Sequence, residues 1–208
     1  MNADPQRPSA LERARTRTAR LEGLSDGVFA IALTVLVLEI ALPPAAGRHL
    51  LHAVLELWGA YLAYLTSFLT IGLVWIAHHT IAGALSRTDG AMMRINLLLL
   101  MLVSFLPFPT KLMGDYIRTP GAERVAVLFY GVWLLLISIT IAGMWRYAAG
   151  GRRLLTPDVP QDEIDTLTRM LEPDLGFYAG AILLAVIVPQ AGAALFLVIA
   201  VTALIRRR

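Results

Sequence analysis

The chain has 208 residues, of which 57% are hydrophobic and 16% are charged, and its mean hydropathy is +0.67. These values exclude a soluble domain with one buried core and indicate an all-α integral membrane protein that is partnered by the lipid bilayer. The formal net charge is +3, but the arginines lie between apolar segments, where topology signals belong, so no nucleic-acid binding is expected. Cysteine is absent, which excludes disulfides and thiol metal ligands.

The first apolar segment carries polar residues that a membrane helix does not easily tolerate. A helix needs about 20 residues to cross about 30 Å of hydrocarbon, so a span ending at Leu42 begins near Gly23 and includes Ser25 and Asp26. An unpaired charge at this depth costs about 3 kcal/mol. We therefore expect Asp26 to have a partner; the alternative is a solvated helix N-cap at the headgroup level.

Five more apolar segments follow, and together they predict six transmembrane helices in a single domain, residues 1–208. Residues 1–20 are expected to form a basic cytosolic arm that is disordered or interfacial. Pro107 and Pro109 are expected to bend or end the third span, and a short surface helix is expected around 162–171. The predicted spans are about 23–42, 54–78, 95–112, 125–145, 175–188 and 191–205.

Basic residues predict the orientation of these spans. Six spans place both termini on one side of the membrane. Fourteen of the eighteen basic residues lie at the termini or in the loops after spans two and four, whereas Arg48, Lys111, Arg118 and Arg124 lie on the opposite side. The positive-inside rule therefore predicts a multi-pass protein of the cell membrane with both termini in the cytosol.

This topology brings polar residues of the first three spans to the cytosolic membrane boundary. Basic, imidazole and amide groups around one carboxylate can satisfy each other's hydrogen bonds; the alternative is a set of interfacial residues that never meet. His78 and His79 are adjacent, so they point about 100° apart, at most one faces the network, and they cannot chelate one ion. The expected network comprises Arg20, Ser25, Asp26, His78, His79 and Asn96.

These residues carry a family resemblance. The motif Arg20-x-x-x-Leu24-Ser25-Asp26 resembles the Arg-x-x-x-Phe-Ser-Asp signature of the transmembrane protein 175 family of potassium channels, with Leu24 in place of the phenylalanine. The similarity continues in Trp75-x-x-His78-His79, in Asn96 and in the segment 104–110. It covers spans one to three by motif and the later spans by their number and spacing.

The resemblance implies a fold and a function. A member of this family is expected to assemble as a homotetramer whose first helices line a central pore, and to conduct potassium and other monovalent cations without a cofactor. Family filters are rings of aliphatic side chains on the first helix. By their position relative to the aspartate, the residues implied here are Ile31, Val35 and Leu38, with Thr34 nearby.

The residues themselves support part of this interpretation. Ile31, Val35 and Leu38 share one helix stripe, with Leu33 turned away from it, but such a stripe also suits helix packing or lipid contact. No carbonyl filter motif and no arginine-repeat voltage sensor occur in the sequence, so a hydrophobic constriction remains as the expected selectivity filter of a leak channel. The alternatives are a secondary cation transporter and a non-conducting membrane assembly protein.

An enzyme is not expected. His49 and His52 are three residues apart and Glu56 follows, a spacing that could hold zinc. The trio is predicted to lie at the outer interface, at the start of span two, where it is better explained as a hydrated helix start. The sequence therefore predicts neither a catalytic nor a metal site.

Overall fold

The structure is a computed structural model that describes residues 10–42, 47, 49–171 and 175–206, and its regular elements there are helices. A short 3-10 turn, Gly150–Arg152, follows the sixth helix. The described residues form nine α-helices: α1 (Ala10–Leu38), α2 (Leu50–Glu56), α3 (Trp58–Ala84), α4 (Gly90–Phe105), α5 (Pro107–Tyr116), α6 (Ala122–Ala149), α7 (Gln161–Leu171), α8 (Leu175–Ile187) and α9 (Pro189–Arg206).

Five helical stretches within the described residues are long and apolar enough to cross a membrane. They are Ala19–Leu38, Trp58–Ala84, Gly90–Tyr116, Ala122–Arg152 and Gln161–Ile187. The sixth predicted span, 191–205, falls in α9, whose apolar part Pro189–Ile205 is shorter. The structure is therefore that of a multi-pass helical membrane protein, and the count of six crossings stays a prediction.

The first helix differs from its predicted bounds at both ends. Residues 10–20, predicted to be a disordered or interfacial arm, are helical because α1 already begins at Ala10. This excludes disorder there, and the interfacial alternative stays a prediction; residues 1–9 lie outside the described residues. The segment 10–20 is rich in Ala, Arg, Leu and Glu, which are strong helix formers. At the other end α1 stops at Leu38 rather than Leu42. A proline ring clashes with helical backbone in the turn before it, so a helix that continued through Leu42 would be incompatible with Pro43.

The second span was predicted too early in the chain. The segment over 54–78 is divided between α2 and α3, and α3 continues to Ala84. The polar residues His78 and His79 were interpreted as the end of the helix. They do not end it: His78 is buried inside the helix bundle, where its Nε2 is hydrogen-bonded to Asn96 while its Nδ1 has no partner among the described residues.

The third predicted span is two helices joined by a bend at Leu106. Pro107 has no N–H, so the N–H of Leu106 donates to the carbonyl of Val103 instead of to that of Leu102. The indole of Trp133 on α6 donates to the vacated Leu102 carbonyl at 2.8 Å. The bend is thus held by a side chain of a neighbouring helix, and α5 extends beyond the predicted end at residue 112.

The last helices form a hairpin on one side of α6. Gly192 on α9 lies so close to α8 that an added Cβ would meet the Cβ of Ala185 at 2.5 Å. Ala193, Phe196 and Ala200 form the buried face of α9. Helix α7 packs on α6, where the indole of Trp145 donates to the hydroxyl of Thr168, so a helix is present where the short surface helix was predicted.

Candidate functional site

One face of α1 is packed into the protein, and the opposite face is not. The buried residues recur every three to four positions, as expected for one helix stripe. They contact α3 and α4 along most of the length of α1. The buried stripe consists of Leu21, Ser25, Phe29, Ala32 and Leu36.

The residues predicted to form a filter lie on the other side of α1. Ile31 is 64% exposed and Leu38 is 75% exposed, while Val35 is half-buried. Thr34 is exposed, and its hydroxyl donates to the Ile31 carbonyl at 2.8 Å. A Cβ added to Gly27 would meet nothing within 4 Å. We call the exposed residues Gly27, Ile31, Thr34 and Leu38, with the half-buried Val35, the α1 stripe.

The same stripe continues toward the N-terminal end of the helix. Arg20 stands eleven residues before Ile31, which at 100° per residue places the two about 20° apart around the helix axis. Arg20 is exposed, and no other described residue forms an ion pair or hydrogen bond with its side chain. Arg20 therefore lies outside the buried network in which it was predicted.

Three of the six predicted network residues meet inside the protein. Asn96 on α4 donates from Nδ2 to the Ser25 hydroxyl at 3.1 Å, and Ser25 donates to the Leu21 carbonyl at 2.8 Å. The His78 Nε2 lies 2.8 Å from the Asn96 Oδ1, which can only accept, so this arrangement assigns the ring hydrogen to Nε2. All three side chains are buried. We call Ser25, His78 and Asn96 the buried polar triad; it joins α1, α3 and α4.

Asp26 and His79 form a second, more exposed layer with other residues. The indole of Trp75 donates to Asp26 at 2.9 Å, and His79 lies 3.1 Å from Glu22. The rings of Trp75 and His79 stack with centroids 5.9 Å apart. The prediction that Asp26 stands at the centre of one network is therefore wrong. Neighbouring helix residues point about 100° apart, so Ser25 turns inward while Asp26 turns to the side.

The outer end of α1 carries a polar contact that the sequence interpretation missed. The Lys111 Nζ on α5 lies 3.6 Å from the Glu39 Oε2, just beyond α1, and 3.6 Å from the Asp115 Oδ2. A signal was present, because Lys111 falls inside the predicted span 95–112, and a charge within a membrane span requires a partner.

A chain of hydroxyl groups within the bundle was also missed. Thr110 donates to the Leu106 carbonyl at 2.8 Å, so it accepts from Ser67 at 2.7 Å, and Ser67 in turn accepts from Tyr130 at 2.8 Å. All three are buried. Each of these three hydroxyl groups has an acceptor, and the hydrogen bonds between them join α3 and α6 to the bend between α4 and α5.

The outer histidines do not assemble a metal centre in the described part of the chain. His52 is paired with Glu56 at 3.3 Å, and Arg118 binds the same carboxylate at 3.6 Å and the Glu56 carbonyl at 3.1 Å. Within the described residues, no group of three or more His, Asp or Glu side chains is placed to hold a metal ion. The Glu56 carboxylate is thus bound by an arginine, and Glu56 would have to release this arginine before it could bind zinc.

A model of the family described as "Endosomal/lysosomal potassium channel TMEM175" matches residues 20–107, which include the α1 stripe and the buried polar triad. A protein of Chamaesiphon minutus named potassium channel Cha6605_3372 is 42% identical over 176 residues, covering 83% of this chain and 86% of the relative.

Two further comparisons extend the likeness. A Streptomyces collinus protein named potassium channel B446_29190 is 38% identical over 143 residues, covering 68% of this chain and 69% of the relative. The crystal structure described as a lysosomal potassium-selective channel TMEM175 homolog from Chamaesiphon minutus superposes with a TM-score of 0.82 at 39% identity. That match covers 92% of this chain and 98% of the solved one.

Proposed function

Because the chain belongs to the TMEM175 family, we propose that it is a potassium-permeable cation leak channel. Its relatives are named ion channels, not enzymes. In this proposal each subunit crosses the cell membrane six times and has both termini in the cytosol. Four subunits form a homotetramer in which the α1 helices surround a central pore. Ile31, Thr34, Val35 and Leu38 would form the selectivity filter.

The exposure of the α1 stripe is the observation that carries this proposal. Ile31 and Leu38 are 64% and 75% exposed on a helix whose opposite face is packed against α3 and α4. One helix cannot surround a pore, so a pore on this face requires copies of the chain related by symmetry. The absence of side-chain bulk at Gly27 leaves room for a neighbouring copy on the same face.

The chemistry of the stripe suits a hydrophobic constriction. Aliphatic side chains supply no ligands, so an ion that passes a ring of Ile31 side chains narrower than its hydration shell must shed water. Potassium is more weakly hydrated than sodium and loses water at lower cost, which favours its passage, and a dry constriction can also gate by dewetting. The exposed oxygen of Thr34 stands one turn further along, where it can contact a partly dehydrated ion.

The buried polar triad gives the stripe its direction. A helix in a lipid environment gains little from apolar burial alone, so hydrogen bonds and close packing decide its rotation. Ser25 is hydrogen-bonded to Asn96, which is hydrogen-bonded to His78, and rotating α1 would break the first of these contacts. The triad thus turns Ser25 toward the core. Ile31, six residues later, lies about 120° away around the helix axis and therefore faces the exterior.

Reversal potentials test the proposal. Ile31→Asn should bring hydrogen-bonding groups to the constriction, lower the dehydration barrier and reduce the discrimination between potassium and sodium, while current persists. Val37→Asn is the matched control, because Val37 is 50% exposed and lies about 120° from Ile31 around the helix. Leu33 is unsuitable as a control, since it packs against the core rather than turning outward as predicted.

Three outcomes would contradict the proposal. A reversal potential that Ile31→Asn leaves unshifted, in channels that still carry current, would remove this residue from the filter. Purified wild-type chain that passes no potassium in planar bilayers or liposomes would support the non-conducting assembly protein instead. Flux that saturates and requires a coupled ion gradient would support the transporter.

A further inference from the structure

Helices α3 and α5 form a rigid pair at the outer side of the protein. A Cβ added to Gly59 would lie 2.5 Å from the Ile117 Cγ2, and one added to Gly114 would lie 3.0 Å from the Ala60 Cα. The two backbones therefore approach as closely as glycine allows, which is the way small residues join membrane helices. We call α3 and α5 the outer platform.

The outer end of α1 is less firmly packed on this platform. Leu36 is its last fully buried residue, and the helix ends two residues later in a turn in which the N–H groups of Glu39 and Ile40 donate to the carbonyls of Leu36 and Val37. A cleft of about 10 Å³ lies between this end and the platform, lined in part by Leu36, Ile40, Ala60 and Tyr64. Apolar packing alone does not close the contact.

Lys111 bridges this contact with its charge. Its ammonium lies 3.6 Å from Glu39, next to Leu38 of the α1 stripe, and 3.6 Å from Asp115 on its own helix. Glu39 is 27% exposed and Lys111 is 43% exposed at the side chain, so water weakens the pair only in part. The ammonium also faces the negative end of the α1 dipole.

We propose that Lys111 is a positioning residue for the selectivity filter: through Glu39 it ties the outer end of α1 to the outer platform and so sets the position of Leu38 at the outer rim of the stripe. The inference rests on the proposed function, because it concerns the same pore helix. It assigns Glu39 and Asp115 different roles. Glu39 connects two elements, whereas Asp115 pairs with Lys111 within α5 and connects none.

The test compares variants that differ in this connection. Lys111→Met and Glu39→Gln remove it, and Asp115→Asn is the matched control, since it neutralises a carboxylate at the same distance from the same ammonium without touching α1. The double variant Glu39→Lys with Lys111→Glu restores the pair with its charges exchanged. All are made in the full chain, which has no cysteine, so spin labels can be added at single introduced cysteines.

The first measurement does not depend on conduction. Labels are placed at Leu42→Cys, beyond α1, and at Tyr116→Cys, at the end of α5, and they report the distance between the outer ends of α1 and α5. Labelled chains are diluted among unlabelled chains, so that the distance is measured within one subunit. We expect a broader distance distribution for Lys111→Met and Glu39→Gln, the wild-type distribution for Asp115→Asn, and a return to it in the charge-exchanged variant. Distributions identical to the wild type in both tether variants would overturn the inference.

The second measurement is the permeability ratio of potassium to sodium. We expect about a threefold fall for Lys111→Met and Glu39→Gln, which corresponds to about 0.7 kcal/mol at 1.4 kcal/mol per factor of ten, and no change for Asp115→Asn. An equal fall in Asp115→Asn would show that surface charge, not the tether, is responsible. If Ile31→Asn alters the ratio and the tether variants do not, only this inference fails; if Ile31→Asn leaves it unaltered, the proposed filter fails first.

Discussion

At the scale of single residues, Ser25 holds the N-terminal part of the membrane-spanning stretch of α1 in place. Its hydroxyl accepts from Asn96 and donates to the Leu21 carbonyl. Ser25→Ala would leave the Asn96 amide hydrogen without an acceptor in a buried site, and losses of this kind cost about 1–2 kcal/mol in membrane proteins. We expect a lower free energy of unfolding, measured by denaturant titration of the purified protein in detergent.

Ser104→Ala provides the control for this prediction. Ser104 is also on a membrane helix, but it is exposed, and its hydroxyl donates only to the Met101 carbonyl of its own helix. We expect its removal to change stability by a few tenths of a kcal/mol at most. Equal losses for both variants would show that the triad adds nothing beyond the ordinary effect of a helical serine.

The sequence was a better guide to which residues meet than to which of them is central. A topology of three helices whose ends share one membrane boundary was enough to bring Ser25, His78 and Asn96 near each other. It was not enough to choose between Ser25 and Asp26, because the choice depends on the rotation of α1, and that rotation depends on contacts with other helices, such as the hydrogen bond between Ser25 and Asn96, which no local pattern reveals. The Asp26 carboxylate was predicted to be the centre of the network because a charge in the membrane is costly unless it is partnered. The same cost keeps the carboxylate outside the core.

At the scale of helices, α4 depends on its first residues. Asp89 is the N-cap, and its carboxylate accepts from the N–H groups of Ala91 and Met92 at 3.0 and 2.8 Å and from the Tyr147 hydroxyl at 2.6 Å. Asp89→Ala should cost about 1 kcal/mol of stability through the lost cap. Because α4 carries Asn96 of the triad, we also expect faster amide exchange in its first turns. Asp158→Ala, at an exposed site, is the control.

The contribution of Asp89 should depend on pH in a definite direction. The N–H of Met92 and the hydroxyl of Tyr147 stabilise the carboxylate and hold the pKa of Asp89 below its usual value. A lowered pKa in the folded state adds stability above the unfolded pKa of about 3.9, and this stability is lost as the pH falls through the folded pKa. The difference in stability between wild type and Asp89→Ala should therefore be constant from pH 7 to about pH 5 and shrink below about pH 4. A difference that grows on acidification would contradict this assignment.

Helix ends were predictable to within about two turns, except at the start of α1, which lies at Ala10 rather than near Gly23. The pattern of apolar residues located every major helix, because hydrophobic length is the dominant signal in a membrane chain. It misplaced the ends of α1 and α3, since polar residues near the ends were interpreted as boundaries. The bend at Leu106 was expected from Pro107 and Pro109, but its stabilisation by Trp133 was not, because that contact joins residues 31 positions apart.

At the scale of the whole molecule, the described residues leave an apolar helix face without a partner in the subunit. The α1 stripe is exposed where a helix in the centre of a bundle would be buried. Composition and the pattern of apolar segments could predict a multi-pass membrane protein. They could not predict the number of subunits, because in the proposed assembly that number depends on the angle at which this face would meet its copies, and the angle is a property of surface shape rather than of hydrophobic pattern.

The proposed assembly makes a prediction about distances between subunits. If α1 helices surround a central axis, the Leu38 side chains of neighbouring copies meet there, so Leu38→Cys should be joined into covalent dimers by a short bifunctional thiol reagent. Leu183→Cys should not be, although Leu183 is 67% exposed, because α8 packs on α6 and α9 and its outer face would meet lipid. The yields are compared on denaturing gels, beside the particle symmetry seen by electron microscopy. Dimers formed by Leu183→Cys and not by Leu38→Cys would place the subunit interface on the opposite side and take α1 away from the axis.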